Sequence, residues 1–172
     1  LIMVENDRDG IATATIKNEM METWKIKEED LYQCAGENTP KIFPAKAKSL
    51  SDFIMETLEI AKTEDMENMD IPVQILTNEK GINGAAVVLY PGYLEMLLEK
   101  FEGKDFYILP SSIHEVLAFP ENDIGAGREE CLDMVKTINQ TEVSEDEVLS
   151  DNIYLYHADT GELELIEQTE EA

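Results

Sequence analysis

The sequence predicts an α+β domain: a mainly antiparallel sheet of β-hairpins, with helices inserted between the hairpins and packed against the sheet. Three observations predict this class. Pairs of β-rich runs are separated by short turn-forming segments, which favours antiparallel pairing. Segments with helical periodicity fall between these pairs, an order typical of α+β folds. Finally, 43% of the 172 residues are hydrophobic, and a domain of this length buries about 70% of its unfolded surface, which is enough for a core.

The N-terminal residues predict one hairpin followed by two helices. Residues 1–5 and 11–16 are β-rich runs, and the turn-forming segment between them ends in glycine. Asn18 is a residue type that caps helices, so we expect a short helix to follow it. A second helix is expected over residues 28–36. Pro40 should stop it, because the residue before a proline avoids helical backbone angles.

The middle of the chain predicts a helix and then a pair of strands. Ser49 and Asp52 have the spacing of a capping box, so a helix should begin there. Residues 63–70 are acidic and show no periodicity, which is typical of a loop. Residues 73–77 and 85–90 are rich in aliphatic and β-branched side chains, and we expect them to be strands.

The last third again alternates helices with strand pairs. Pro91 suits the first turn of a helix, and Gly103 suits the position just after its end. Strands are expected over residues 105–109 and 113–119. The remaining elements are a helix around Cys131 and a hairpin of residues 152–156 and 162–166.

The domain organisation follows from these elements. We expect a single α+β domain over residues 1–166 and an acidic C-terminal tail over residues 167–172. The chain begins with Leu1 inside a predicted strand, so we expect it to be a fragment of a longer protein. Cys34 and Cys131 are 97 positions apart, and both are expected on the buried faces of helices. A disulfide framework is therefore not expected, and a reducing cytoplasm is the predicted location.

Charge disfavours two classes of partner. The chain has 13 Lys and Arg against 38 Asp and Glu, a formal net charge of −25. Nucleic-acid binding depends on Lys and Arg side chains that neutralise phosphates, so we expect no binding to nucleic acid. Anionic membrane surfaces are disfavoured for the same reason, and the apolar runs are far shorter than the roughly 20 residues of a membrane span. The acidity is concentrated near the C-terminus, where no Lys or Arg follows Lys136.

One short segment could carry chemistry. Residues 110–115 place Ser111, Ser112, His114 and Glu115 close together. A serine beside a histidine can form an activated nucleophile, with a carboxylate to orient the ring, so these four are the candidate catalytic residues of a hydrolase. The alternative is a hairpin turn capped by serine hydroxyls, with His114 bonded to the backbone.

No metal site or cofactor is predicted. His114 and His157 are the only histidines, and no Cys-x-x-Cys spacing accompanies them. The segment Gly125-Ala126-Gly127 precedes a predicted helix, but it is flanked by acids and lacks the lysine of a phosphate-binding loop.

Two longer motifs carry a family resemblance. They are Leu-Pro-Ser-Ser-Ile-His-Glu at residues 109–115 and Asn-Gly-Ala-Ala-Val-Val-Leu-Tyr-Pro at residues 83–91. Together with residues 17–40 and 147–156, they resemble a family of bacterial proteins of unknown function that is common in gut bacteria. The resemblance implies the C-terminal portion of such a protein, and it implies no activity.

Three hypotheses of function remain from the sequence. The leading one is a cytoplasmic, non-enzymatic module that binds another protein, because no complete catalytic or metal set is visible. The second is a hydrolase that uses Ser111 or Ser112 with His114. The third treats the acidic C-terminal third as a mimic of nucleic acid that binds a basic protein.

Overall fold

A computed structural model of the chain describes residues 2–7, 10–57, 72–110, 112–123, 125 and 127–167. The chain divides into two compact units, Leu1–Ile42 and Phe43–Ala172. The single domain over residues 1–166 stays a prediction. The acidic loop at residues 63–70 and all but the first residue of the predicted tail lie outside the described residues.

The first unit consists of a hairpin and two helices. Strands β1 (Ile2–Asp7) and β2 (Gly10–Thr15) pair antiparallel, which confirms the first predicted hairpin. Helices α1 (Asn18–Trp24) and α2 (Glu28–Ile42) follow. The predicted end of α2 is wrong: the helix continues through Pro40, which removes only one hydrogen bond in the last turn. Cys34 lies in this helix and is exposed, so its predicted burial is also wrong.

The second unit is built on a six-stranded antiparallel sheet, which confirms the α+β class. Its strands are β3 (Ala45–Ser49), β4 (Gln74–Asn78), β5 (Phe106–Leu109), β6 (Val116–Pro120), β7 (Ile153–Tyr156) and β8 (Leu163–Ile166). Their order across the sheet is β3-β4-β6-β5-β7-β8, and every neighbouring pair is antiparallel. The two hairpins predicted in the last third of the chain are present as β5 with β6 and β7 with β8.

Helices cover both faces of this sheet. The helical elements are α3 (Leu50–Thr57), a 3₁₀ helix (Gly84–Leu89), α4 (Tyr93–Lys100) and α5 (Arg128–Thr141). The 3₁₀ helix and α4 bury Val87, Leu94 and Leu97 against Phe106 and Ile108 on one face. Helix α5 buries Cys131, Leu132 and Val135 against Tyr107, Phe119 and Leu155 on the other. These side chains alternate along β5 because successive residues of a strand point to opposite faces.

The start of α3 agrees with the sequence. Ser49 Oγ accepts a hydrogen bond from the backbone N–H of Asp52 at 3.0 Å, the predicted capping contact.

The predicted strand at residues 85–90 is wrong, because these residues form the 3₁₀ helix. Strand β4 already has β3 on one edge and β6 on the other, so neither edge is left for another partner. The segment packs instead across the sheet face, where Ala85 N–H donates a hydrogen bond to the carbonyl of Ile113 at 3.1 Å.

Candidate functional site

The turn that carries the candidate catalytic residues is fastened to a segment far along the chain. Strand β6 begins only at Val116, so the preceding residues form a loop and not the start of a strand. Ser112 forms an isolated antiparallel bridge with Val148. Ile113 N–H donates to the carbonyl of Glu147 at 2.9 Å. The loop is therefore held at a fixed place beside the sheet.

Ser112 caps this loop. It is buried, and its Oγ accepts a hydrogen bond from the backbone N–H of His114 at 3.0 Å. Such a bond from a hydroxyl to an amide two residues on is typical of serine in turns. The structure thus brings Ser112 and His114 together by a hydrogen bond between the Ser112 hydroxyl and the backbone amide of His114.

The imidazole of His114 joins three segments. Its Nδ1 lies 3.2 Å from the backbone nitrogen of Asn83, which donates a hydrogen bond to it. Its Nε2 lies 3.3 Å from Oε1 of Glu147. Because Nδ1 accepts a hydrogen bond from an amide N–H, this arrangement assigns the ring hydrogen to Nε2, which donates a hydrogen bond to the carboxylate.

A close backbone contact lies beside this histidine. Thr77 Oγ1 donates a hydrogen bond to the carbonyl of His114 at 2.8 Å. A Cβ atom added at Gly84 would lie 2.0 Å from Thr77 Oγ1 and 2.3 Å from that carbonyl oxygen. Only glycine fits where the 3₁₀ helix begins, because the chain there passes directly over β4 and the loop.

The other predicted site residues lie apart from this contact. Ser111 is outside the described residues, and Glu115 is exposed. The carboxylate beside the ring belongs to Glu147, 33 positions from His114, which the sequence reasoning missed. A signal was present, because Ser144 and Glu147 have the spacing of a capped turn, and Glu147 N–H does donate to the carbonyl of Ser144 at 2.8 Å. The catalytic assignment of these residues stays a prediction.

An apolar cavity of about 530 Å³ opens next to this loop. We call it the leucine groove. Residues that line it include Leu89, Ile108, Ile113, Leu149, Tyr154 and Leu163. Strands β5, β7 and β8 supply one side, and the 3₁₀ helix and the loops at Pro110 and Leu149 supply the others. A cavity of a few hundred Å³ is of the size that holds a ligand or an anchoring side chain.

Three leucines of the groove are exposed to solvent. Leu89 is 77% exposed, Leu149 47% and Leu163 42%. They come from three separate segments of the chain and meet at one cavity. Single exposed leucines are ordinary on protein surfaces, whereas these three lie together around one cavity.

The lining of the leucine groove contains no charged side chain among the described residues. Asn83 and Ser150 contribute amide and hydroxyl groups, and the backbone N–H of Asn83 is already bonded to His114. General acid–base chemistry requires a titratable group within reach of the reacting atom. The groove can therefore bind an apolar group, and the Tyr154 phenol is the one titratable side chain in its described lining.

Acidic residues flank the groove in sequence. Glu147 and Asp151 lie on either side of Leu149, and the exposed carboxylates of Glu162 and Glu164 lie on either side of Leu163. Because successive side chains of a strand point to opposite faces, Glu164 lies on the face of β8 away from the leucine groove, where it contacts His157 and Arg128.

A second polar cluster fastens β8 to the sheet. His157 Nδ1 lies 3.3 Å from Oδ2 of Asp105, and its Nε2 lies 3.0 Å from Oε2 of Glu164. The hydrogen bond to Glu164 and the charges of both acids raise the pKa of His157 above its ordinary value, although partial desolvation opposes this. Arg128, at the start of α5, lies 3.6 Å from the other oxygen of Glu164. Within the described part of the chain, no group of His, Cys, Asp and Glu is arranged to hold a metal ion.

Comparisons with known proteins identify a family for this chain but no activity. A protein-family model described as "Family of unknown function (DUF5688)" matches residues 1–158. The search of curated proteins found no match, and the search of solved structures found none either. As for membranes, none of the described helices has both the length and the apolar character needed to span a bilayer.

Proposed function

The chain belongs to this family of unknown function, and we propose from its own surface that it is a cytoplasmic, non-enzymatic protein-interaction module. In this proposal, the leucine groove holds an apolar segment of a partner protein. The observation that carries it is the meeting of Leu89, Leu149 and Leu163 around one cavity, all of them exposed.

Burial of these leucines would supply binding energy. Complete burial of an exposed leucine side chain is worth about 1.5–3 kcal/mol. The three are already partly covered, so a partner that covers the rest gains a few kcal/mol in total, before the cost of ordering both surfaces. Because association itself costs about 4–15 kcal/mol, further contacts of the partner must add to this sum.

The hydrolase hypothesis has weaker support. For His114 to act as a base toward Ser112, the ring would have to give up a bond to Asn83 or Glu147 and turn toward a hydroxyl that is bonded to its own amide. A serine–histidine pair needs a direct hydrogen bond between hydroxyl and ring in the reactive arrangement.

The nucleic-acid-mimic hypothesis also has weaker support. A mimic needs an uninterrupted row of carboxylates, whereas Glu162, just before β8, and Glu164, within it, alternate with exposed Leu163 and Leu165. This alternation suits a partner surface that is both apolar and basic.

The cytoplasmic part of the proposal is supported by the cysteines. Cys34 and Cys131 are both unpaired, as is usual in a reducing compartment.

Selection from a random peptide library displayed on phage tests the proposed function. We expect selected peptides to lose about tenfold or more in affinity for Leu89→Asp and Leu149→Asp variants, since each change places a charge in the groove. Met134→Asp is the matched control, because Met134 is 36% exposed on α5, against the other face of the sheet. Peptides that bind all three variants as they bind the unchanged protein would refute a role for the groove.

A further inference from the structure

We propose that β8 is the docking edge of this module: an extended segment of the partner, with alternating apolar and basic residues, pairs with β8 as an added strand. The inference rests on the proposed function and specifies the partner's chemistry. Four observations support it: the free backbone groups of β8, the direction of its leucines, the contrast with the opposite edge of the sheet, and its charge.

Strand β8 presents unpaired backbone groups on its outer side. It is the last strand in the sheet order, and no described strand lies beyond it. The backbone N–H of His157 donates to the carbonyl of Glu162 at 2.9 Å. Hydrogen-bonded pairs alternate with non-bonded pairs along an antiparallel ladder, so the backbone groups of Glu164 and Ile166 also form hydrogen bonds with β7. The N–H and carbonyl groups of Leu163 and Leu165 therefore point outward.

The side chains of these same two residues lie on the groove face of the sheet. The register pairs Leu163 with Tyr156 and Leu165 with Tyr154, and Tyr154 lines the groove. Both leucines are more than two-fifths exposed, at 42% and 44%. A strand added beside β8 would place every second side chain next to Leu163 or Leu165, where cross-strand apolar pairs form.

The opposite edge of the sheet carries the usual protection against such pairing. Strand β3 presents Lys46 and Lys48, and edge lysines prevent unwanted strand addition. Strand β8 carries no Lys or Arg. The two edges therefore differ: β3 carries two lysines, whereas β8 presents Leu163 and Leu165 with a single acid, Glu164, between them.

The negative charge of the chain favours another protein over a second copy of this chain as the molecule that pairs with β8. Pairing β8 with β8 of another copy would bring the Glu162 and Glu164 side chains of two chains together, each chain with a net charge of −25. A Lys or Arg at the intervening positions of the added strand would instead lie next to the exposed Glu162 carboxylate and next to Glu164, which already contacts His157 and Arg128. The partner segment thus alternates apolar residues, toward the groove, with basic residues on the other face.

A synthetic peptide of this pattern tests the proposal. The probe is acetyl-Val-Lys-Val-Lys-Val-Lys-Val-amide, labelled for fluorescence anisotropy, and the control is acetyl-Val-Val-Lys-Lys-Lys-Val-Val-amide, which has the same charge and composition. We expect the alternating peptide to bind about tenfold more tightly than the control, because only it can place all its valines on one face. Equal binding of the two peptides, or none by the alternating one, would overturn the proposal.

N-methylation separates strand pairing from simple apolar contact without altering the protein. One derivative of the alternating peptide carries methyl groups on the backbone amides of its three lysines, and the other on those of its two inner valines. The amides of these two sets point to opposite edges of a strand, so one derivative should lose about tenfold in affinity and the other should bind like the parent. Derivatives that bind equally well would exclude strand addition.

Amide NMR shifts locate the peptide on the protein. We expect the largest shifts at the backbone N–H groups of Leu163 and Leu165 and little change at Lys46 and Lys48 of β3. Largest shifts at β3 would overturn the proposal. If the selected phage peptides depend on Leu149 while the two methylated derivatives bind alike, the groove function stands and the strand pairing fails. If the derivatives differ but no selected peptide depends on Leu89 or Leu149, the edge binds without the groove and the proposed function fails.

Discussion

His114 Nδ1 accepts a hydrogen bond from the backbone N–H of Asn83 at 3.2 Å, although the two residues are 31 positions apart in the chain. Asn83 immediately precedes the 3₁₀ helix, and His114 lies in the loop before β6. The bond therefore joins two walls of the leucine groove. The ring thus holds Asn83 next to the loop before β6.

Replacement of His114 tests how much its hydrogen bonds contribute to the stability of the fold. His114→Ala should lower the free energy of unfolding by about 1–2 kcal/mol, because the Asn83 N–H and the Glu147 carboxylate each lose a partner. His114→Asn should lose less, because an asparagine side-chain oxygen can accept the hydrogen bond in place of Nδ1. Urea unfolding followed by circular dichroism measures both variants. Equal losses for the two substitutions would contradict the account of Nδ1 as acceptor.

Gly84→Ala should destabilise the protein by about 3 kcal/mol or more, since a Cβ at that position overlaps two atoms and the backbone cannot retreat from the sheet. The overlaps are with Thr77 Oγ1 at 2.0 Å and the His114 carbonyl oxygen at 2.3 Å. Adding Thr77→Ala should not restore stability, because the carbonyl overlap remains. Gly36→Ala is the control, since an added Cβ at Gly36 meets no atom within 4 Å. A melting temperature for Gly84→Ala like that of the unchanged protein would refute this packing.

Two buried tyrosines should respond oppositely to loss of the hydroxyl. Tyr90 donates a hydrogen bond to the carbonyl of Phe43 at 2.9 Å, so Tyr90→Phe should cost about 1–2 kcal/mol. The hydroxyl of Tyr93 is buried with no partner among the described residues, and burial together with the nearby Tyr90 raises its pKa to about 12. Tyr93→Phe should therefore leave the free energy of unfolding unchanged or raise it slightly. Equal losses in the two variants would contradict this account, because the Tyr93 hydroxyl would then contribute as much as a bonded one.

The His157 cluster should make stability depend on pH. Because Glu164 and Asp105 raise the folded-state pKa of His157 above the ordinary 6.5, the imidazolium stabilises the folded chain fully below about pH 6.5. This contribution is lost as pH rises through the raised pKa. The difference in unfolding free energy between the unchanged protein and His157→Gln should therefore be larger at pH 6 than at pH 9. A difference that stays constant across this range would contradict the charged pairing.

The two cysteines should differ in reactivity. Cys34 is exposed in α2, whereas Cys131 is buried in α5, where burial and then the nearby Glu130 raise the pKa of its thiol. Ellman's reagent should label one thiol rapidly in the folded protein and a second only after unfolding in guanidinium. In Cys34→Ser the rapid reaction should disappear. A rapid reaction that persists in that variant would place Cys131 at the surface.

Local signals in the sequence predict the hairpins well. The turn at residues 158–161, which ends in Gly161, predicts β7 with β8, and Pro110 with its serines predicts β5 with β6. Each of these pairings joins neighbouring segments, so turn chemistry and strand propensity suffice.

Contacts between distant segments were not predictable in the same way. Residues 85–90 have the composition of a strand, but β3 and β6 already pair with both edges of β4. The local sequence does not reveal which strand edges are already paired. The contact of Glu147 with His114 and the convergence of three leucines likewise depend on the order of strands in the sheet. A sequence pattern gives the direction of a side chain within its own element, but not the element that it meets.

The order of the strands has a consequence for biosynthesis. The walls of the leucine groove come from residues as early as Asn83 and as late as Leu163, and the last hairpin must dock on β5 to complete it. Since chains fold as they emerge from the ribosome, N-terminal segments first, the earlier strands can assemble while this hairpin is still in the exit tunnel. The leucine groove is therefore complete only after this hairpin has emerged and docked on β5.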